Sequence, residues 1–283
     1  MTGATANPYP SGSSLPRDLQ RSLGSEDPHA RSRAVGQVTD QELLERIASN
    51  DPDRQVRRAA VMRIACEQAL FRIACRDHDY YVRQATLSRI RSGRLLAEVI
   101  LGKQDDYYFC KEALAGIQDE DVLAGLIEGL TDRDIKSAVV QRISDQDLLA
   151  AIACSQSDFY VRAEALKKIS DPEVLRKLAL HDPDYYVRSL AVNQLDDPEL
   201  LAHIAANDPD YNVRGQAVLR ISDETVLAGV VRGDPDHEVR KKAVGNMENT
   251  ALLESLFLET QDQLLQRALR ARLATLTPGH AAG

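Results

Sequence analysis

Apolar residues in this chain fall into two kinds of short run, and the two alternate along the sequence. One run pairs apolar positions three and four residues apart, as in Leu43, Leu44, Ile47 and Ala48, or Leu200, Leu201, Ile204 and Ala205. The other places them as in Val187, Ala191, Val192 and Leu195. Both spacings lay a single apolar stripe along a helix, and neither run alternates with the period of two that a half-buried strand needs. We call the first helix A and the second helix B.

Aspartates punctuate the alternation at a fixed interval. Asp27, Asp53, Asp79, Asp106, Asp132, Asp158, Asp184, Asp210, Asp236 and Asp262 are separated by 26 residues at every step but one, which is 27. Each stands just before a B run, most fully in Asp182-Pro183-Asp184-Tyr185-Tyr186-Val187-Arg188, where its carboxylate can accept the free amides of the first turn. The A runs open on Asp40, Ser92, Asp145, Asp171, Asp197, Asp223 and Asn249, twice with proline next, Pro172 and Pro198, where a missing N–H costs nothing. Two short helices and two tight turns per period leave no room for strands. The predicted fold is all-α: an α-solenoid of about ten stacked two-helix repeats, each burying its apolar stripe against its neighbours. Residues 15–276 read as one such domain, with 1–14 and 277–283 as disordered tails. The 27-residue step puts its extra residue near Gly102-Lys103 and predicts a local perturbation of the stack.

The phrase Asp-Pro-Asp-x-x-Val-Arg-x-x-Ala resembles HEAT and HEAT-like repeats, including those of the phycobilisome-lyase type, and the short unit is also similar to the bacterial leucine-rich repeat variant family. The resemblance covers residues from about 25 to 273. It implies an interaction scaffold, with a cofactor- or pigment-handling role of the phycobilisome-lyase type as the alternative. Both are carried at the level of fold. The iron–sulfur cysteine cluster of some leucine-rich repeat variant proteins has no counterpart, since no cysteine precedes Cys66.

Numbering the unit so that the recurring aspartate is position 3, the apolar positions 6, 10, 11 and 14 of helix B span an arc centred about 65° from position 6, at roughly 100° per residue. Position 7 falls inside that arc. It is nevertheless basic in Arg31, Arg57, Arg83, Lys136, Arg162, Arg188, Arg214 and Arg240. A guanidinium turned into a helix interface must be paired, and the expected partners are the position 3 aspartates of the same and the adjoining unit. This gives a structural ladder of Asp53, Asp79, Asp158, Asp184, Asp210 and Asp236 with Arg57, Arg83, Arg162, Arg188, Arg214 and Arg240. Cys110 and Gln266 replace the cation, leaving Asp106 and Asp262 without an in-unit partner and predicting weaker joints there.

Eight of the nine tyrosines sit at positions 4 and 5, as Tyr80-Tyr81, Tyr107-Tyr108, Tyr160, Tyr185-Tyr186 and Tyr211. By the same projection position 4 packs on the adjacent unit, and position 5 stands along the rim of the B-helix face. These rows either seal the turns between units or anchor a partner, with Tyr81, Tyr108, Tyr160 and Tyr186 as the candidate anchors. Position 12 is mostly small or polar, as in Gly36, Ser88, Ala115, Asn193 and Gly245. Position 13 carries Arg63, Arg89, Arg142, Lys168, Arg220 and Arg272. A low floor with tyrosines on one edge and cations on the other suits an extended acidic or aromatic-bearing peptide, so the expected partner is a protein or extended peptide.

Composition narrows the remaining classes. A net charge of -8 and the absence of tryptophan argue against nucleic acid, including the basic, aromatic face of HEAT-like DNA glycosylases. No apolar segment reaches spanning length and the first residues lack a leader pattern, so the expectation is a cytoplasmic protein without a membrane partner. The segment Leu15 to Leu23 and the basic run Arg267 to Arg272 read as polar caps on the end units, which makes a monomer the expected state. The four cysteines, Cys66, Cys75, Cys110 and Cys154, show no ligand spacing, and Cys75 and Cys154 share a repeat position that predicts small buried side chains. The six histidines are scattered and no glycine-rich phosphate loop is present. No metal, no cofactor and no catalytic residue is assigned, and the chain reads as a non-enzyme.

Overall fold

The computed structural model describes residues 15–277. Both expected tails, apart from Thr277, lie outside the described residues. Among those described there are twenty α-helices, one short 3₁₀ turn and no strand. The chain divides into two compact units, one ending at Ile143 and one beginning at Ser144.

The first unit contains α1 (Arg17–Leu23), α2 (Pro28–Val35), α3 (Gln41–Asn50), α4 (Arg54–Val61), α5 (Glu67–Arg76), α6 (Tyr80–Leu87), α7 (Gly93–Gly102), α8 (Tyr107–Ala115), α9 (Glu120–Leu126) and α10 (Arg133–Arg142). The second contains α11 (Gln146–Ser155), α12 (Phe159–Leu166), α13 (Pro172–His181), α14 (Tyr185–Val192), α15 (Pro198–Asn207), α16 (Tyr211–Val218), α17 (Glu224–Gly233), α18 (His237–Asn246), α19 (Thr250–Glu259) and α20 (Gln263–Leu276). Odd-numbered helices are A and even-numbered ones B. Each A helix folds back on the B helix that follows it, and the hairpins stack in sequence order, so each unit is an α-solenoid of five repeats.

The caps fall where the sequence places them. Every position 3 aspartate from Asp27 to Asp262 N-caps its B helix through side-chain oxygens that accept first-turn amides. Asp40, Ser92, Asp145, Asp171, Asp197, Asp223 and Asn249 do the same for A helices. Each such cap stabilises its helix by about 1 kcal/mol, which matters because helices of 8–10 residues are too short to persist alone. The apolar stripes meet between the layers: Val187, Ala191, Val192 and Leu195, like Leu43, Leu44, Ile47 and Ala48, are buried.

Successive B helices lie against one another over more of their length than successive A helices do, except around α8. There α6 and α8 separate, while the flanking A helices α5, α7 and α9 draw together. The cause is the longer step. One extra residue stands between the end of α7 at Gly102 and the cap Asp106, and it widens the turn that elsewhere sets the B-row spacing.

The thiols depart from expectation. Cys110 is buried, Cys75 is half-buried, and Cys66 and Cys154 are exposed and all four are free. Cys154 lies on the outer side of α11, so sharing a repeat position with Cys75 does not bury it. No helix among the described residues is long and apolar enough to cross a membrane.

Candidate functional site

Five of the position 7 arginines, Arg31, Arg57, Arg162, Arg188 and Arg214, are buried as the wheel requires and Arg83 and Arg240 are half-buried, but the partner of the buried five is a different carboxylate. Arg31, Arg57, Arg162, Arg188 and Arg214 each make two parallel bonds of 2.8 to 3.0 Å to the position 1 aspartate of the next repeat: Asp51, Asp77, Asp182, Asp208 and Asp234. The same guanidinium reaches back to the carbonyls at positions 1 and 2 of its own unit, as from Arg57 to Asp51 and Pro52. The receiving aspartate also accepts the position 3 amide, as from Asp236 to Asp234 at 2.7 Å. Position 3 carboxylates are held by helix amides and position 1 carboxylates face the neighbouring hairpin, which is why the second, not the first, takes the cation. The assignment of Asp53, Asp79, Asp184, Asp210 and Asp236 as the arginines' partners is therefore corrected; they are caps. Hydrogen bonding to Asp77, Asp182, Asp208 and Asp234 holds Arg57, Arg162, Arg188 and Arg214 above the ordinary guanidinium pKa against the opposing effect of burial.

Asp106 and Asp262, which have no position 7 cation in their own unit, take one from the preceding unit. Position 1 is Gln104 and Thr260 in those units, and Arg83 and Arg240 turn instead to the caps Asp106 and Asp262, each through a single bond of 2.8 and 2.9 Å. Arg83 also lies 5.0 Å over the Phe109 ring. Where Cys110 replaces the arginine, the next position 1 is Leu130, and both side chains are buried. The cation and its carboxylate have been lost together, and burial pushes the Cys110 thiol up to about 12.

Position 13 is a second clip and not a free row of charge. Arg63 donates to the Val38 carbonyl, Arg89 to those of Met62 and Ile64, Arg142 to Ile117, Arg220 to Asn193 and Leu195, and Arg272 to Met247. Gln194 and Asn246 do the same from this position, to Leu166 and to Val218 and Ile221. These carbonyls lie at the C-terminal end of the preceding B helix and in the turn that follows it. Arg63, Arg89, Arg142 and Arg220 are thus hydrogen-bonded within the stack, Arg63 and Arg220 while still exposed; Lys168, at the same position, is half-buried. A third clip, absent from the sequence reading, comes from the first residue of helix A: Gln41, Glu67, Gln146 and Glu224 accept turn amides of the next repeat at Ala65, Ser92, Ser170 and Glu248.

The tyrosines of positions 4 and 5 remain open to solvent. Tyr80, Tyr81, Tyr107 and Tyr108 in the first unit, and Tyr160, Tyr185, Tyr186 and Tyr211 in the second, are all exposed, from 36% for Tyr107 to 75% for Tyr108. Position 4 does not pack away under the adjacent unit, because it is the first residue of helix B and no preceding turn covers it. Rings pair edge to face within each phrase, Tyr80 with Tyr81 at 5.5 Å and Tyr107 with Tyr108 at 5.6 Å. In the second unit Phe159 stacks on Tyr160 at 4.2 Å and meets Tyr186 edge-on at 6.4 Å.

Where α6 and α8 part, an open trough of about 540 Å³ is lined by Tyr80, Asp106, Tyr108, Lys111, Glu112 and Ala115. Glu112 Oε1 accepts from the Tyr80 hydroxyl at 2.5 Å and from Gln84 Nε2 at 2.9 Å. That hydrogen bond pushes the Tyr80 phenol above its ordinary pKa. Among the described residues no group of three or more histidine, cysteine, aspartate or glutamate side chains is arranged to hold a metal ion.

Compared with known families and with curated proteins, the sequence matches no family model and no curated protein.

Proposed function

We propose that this HEAT-like protein is a non-catalytic cytoplasmic scaffold that holds a partner protein or extended peptide along its B-helix edge, with Tyr81 and Tyr108 as anchors in the first unit and Tyr160 and Tyr186 in the second. One observation carries the reading: large aromatic side chains recur, exposed, at the start of successive B helices. Isolated exposed apolar residues need no explanation, but a repeated row of rings is the composition of an interface core. Tyrosine supplies large contact area with few rotors to freeze, and each anchor buried by a partner contributes about 1 to 2 kcal/mol.

The clips bear on partner chemistry. With the position 13 arginines engaged by backbone carbonyls, the preference for an acidic peptide loses its support, and the tyrosines carry the affinity. The test is recovery of a partner by the full chain, its identification, and its rebinding as a purified protein to wild type and to a variant with Tyr81, Tyr108, Tyr160 and Tyr186 changed to alanine. The expected loss exceeds a hundredfold in affinity. Unchanged binding by a folded variant removes the site.

A further inference from the structure

The trough between α6 and α8 differs from the rest of the B row in holding a carboxylate with no counter-charge. Glu112 Oε1 is satisfied by two neutral donors, Tyr80 and Gln84. Its Oε2 is buried and has no hydrogen-bond partner. No lysine, arginine or histidine among the described residues lies within ion-pair distance of it, although Lys111 is the preceding residue. The other acid in the lining, Asp106, is already paired with Arg83 at 2.8 Å. An acceptor oxygen left buried and unpaired costs roughly 1–3 kcal/mol, more when the group is charged, and a donor arriving from outside would recover it.

The rings beside Glu112 complete the chemistry. Tyr80 and Tyr108 flank the carboxylate, and aromatic faces attract a cation placed above them. The chain shows this preference within itself, in Arg54 set 5.5 Å over Tyr81 and Arg83 set 5.0 Å over Phe109. The opening arises from the 27-residue step, so it is not repeated at the regular joints.

We infer that the trough formed by Tyr80, Tyr108 and Glu112 receives an arginine or lysine side chain of the partner protein, with its charged head pairing with the half-buried Glu112 carboxylate, which turns to bring the covered Oε2 to the donor, and its stem lying between the tyrosine rings. This rests on the scaffold reading and adds the sign of the partner's charge, opposite to the acidic peptide that the sequence suggested. A basic segment also agrees with the net charge of -8 of the whole chain.

The experiment uses the full chain with tyrosine rings labelled for NMR, Tyr80 and Tyr108 being assigned through tyrosine-to-phenylalanine variants. The probes are N-acetyl-arginine methylamide, its neutral citrulline counterpart and N-acetyl-glutamate methylamide. Saturable shifts at Tyr80 and Tyr108 are expected with the arginine probe, at least about tenfold weaker with citrulline, and weakened by a similar factor in Glu112→Gln. Tyr108→Ala, which removes an exposed ring without touching the core, is expected to weaken the arginine probe as well. Equal response to arginine and citrulline, preference for the glutamate probe, or full affinity in Glu112→Gln overturns the inference. The scaffold reading is tested separately: loss of the purified partner from the four-tyrosine variant with full binding by Glu112→Gln keeps the scaffold and removes the cation site. An arginine response together with partner binding that survives the four-tyrosine change does the reverse.

Discussion

Changing Asp234 to alanine removes the carboxylate that receives Arg214 and leaves a guanidinium whose side chain is 9% exposed without its counter-ion. The two bonds lost, at 2.8 and 3.0 Å, are charge-assisted and bidentate, and the backbone carbonyls of Asp208 and Pro209 that Arg214 still reaches carry no full charge. Breaking one side of a buried pair costs about 3–5 kcal/mol, because the surviving ion stays desolvated. Asp234 also accepts the Asp236 amide, adding about 1 kcal/mol. The single change is therefore expected to cost ~4–6 kcal/mol. Replacing both partners with apolar residues, Arg214→Met with Asp234→Leu, is expected to restore most of it, since well-packed apolar pairs of similar volume are often as stable as the ion pair they replace. The chain already contains such a joint in Cys110 and Leu130. Urea unfolding followed by circular dichroism gives the three stabilities, and hydrogen exchange over 198–260 places the loss at this joint. If the single variant loses under about 1 kcal/mol, or the double variant is no better than the single, the stranded charge is not what makes the clamp matter.

Two further outcomes follow from the titratable groups. Cys66 and Cys154 should react rapidly with a thiol reagent at mildly alkaline pH, Cys75 slowly because burial raises its pKa, and Cys110 only after unfolding; native labelling of Cys110 on mass spectrometry would contradict its burial. Glu259, hydrogen-bonded by Arg232 and Ser255, is lowered from 4.5 to about 2. Its folded value lies below its unfolded one, so its contribution is present above 4.5 and lost as the pH falls towards 2. Glu259→Gln should melt slightly lower than wild type at neutral pH, with the gap closing on acidification and shrinking in salt; a gap that widens in acid would refute the pairing.

Most of the architecture was legible, because capping and apolar spacing act within one helix and one turn. The ten cap aspartates, the A-helix caps and the burial of five position 7 arginines all follow from local geometry. The arginines' partner was not, since either aspartate of Asp-Pro-Asp lies close in sequence and the choice is made by the displacement between hairpins. A usable signal was present in the paired substitutions: Asp51, Asp77, Asp182, Asp208 and Asp234 each follow an arginine unit, while Leu130 follows Cys110. The position 13 cations were misplaced for another reason. At Arg63 and Arg220 helix B has already stopped at position 11, at Val61 and Val218, so a wheel projection carried two residues further has no helix beneath it; Arg142 and Arg272 lie within their helices, and there the turn of the preceding repeat, which no wheel includes, takes the side chain. The position 4 tyrosines mark the same limit at the opposite end, where the first residue of a helix has no turn above it. Nothing in its own repeat distinguishes Glu112; its unpaired oxygen is a matter of how α8 meets Tyr80 and Gln84 of α6 one repeat away.

Each arginine clamp reaches one repeat forward and no further, and this has a consequence for how such a chain can change length. Excision of residues 182–207 would bring Arg162 to Asp208 through the same 20-residue reach it now makes to Asp182, and duplication of that stretch would add a rung without stranding a charge. Whole periods drawn from the stretch between Arg162 and Asp234 are interchangeable parts, whereas the stretch from Gly102 to Leu130, with its odd residue and its apolar Cys110 and Leu130, is fitted to one place: copied elsewhere it would set Gln104 in place of the aspartate that the preceding arginine needs.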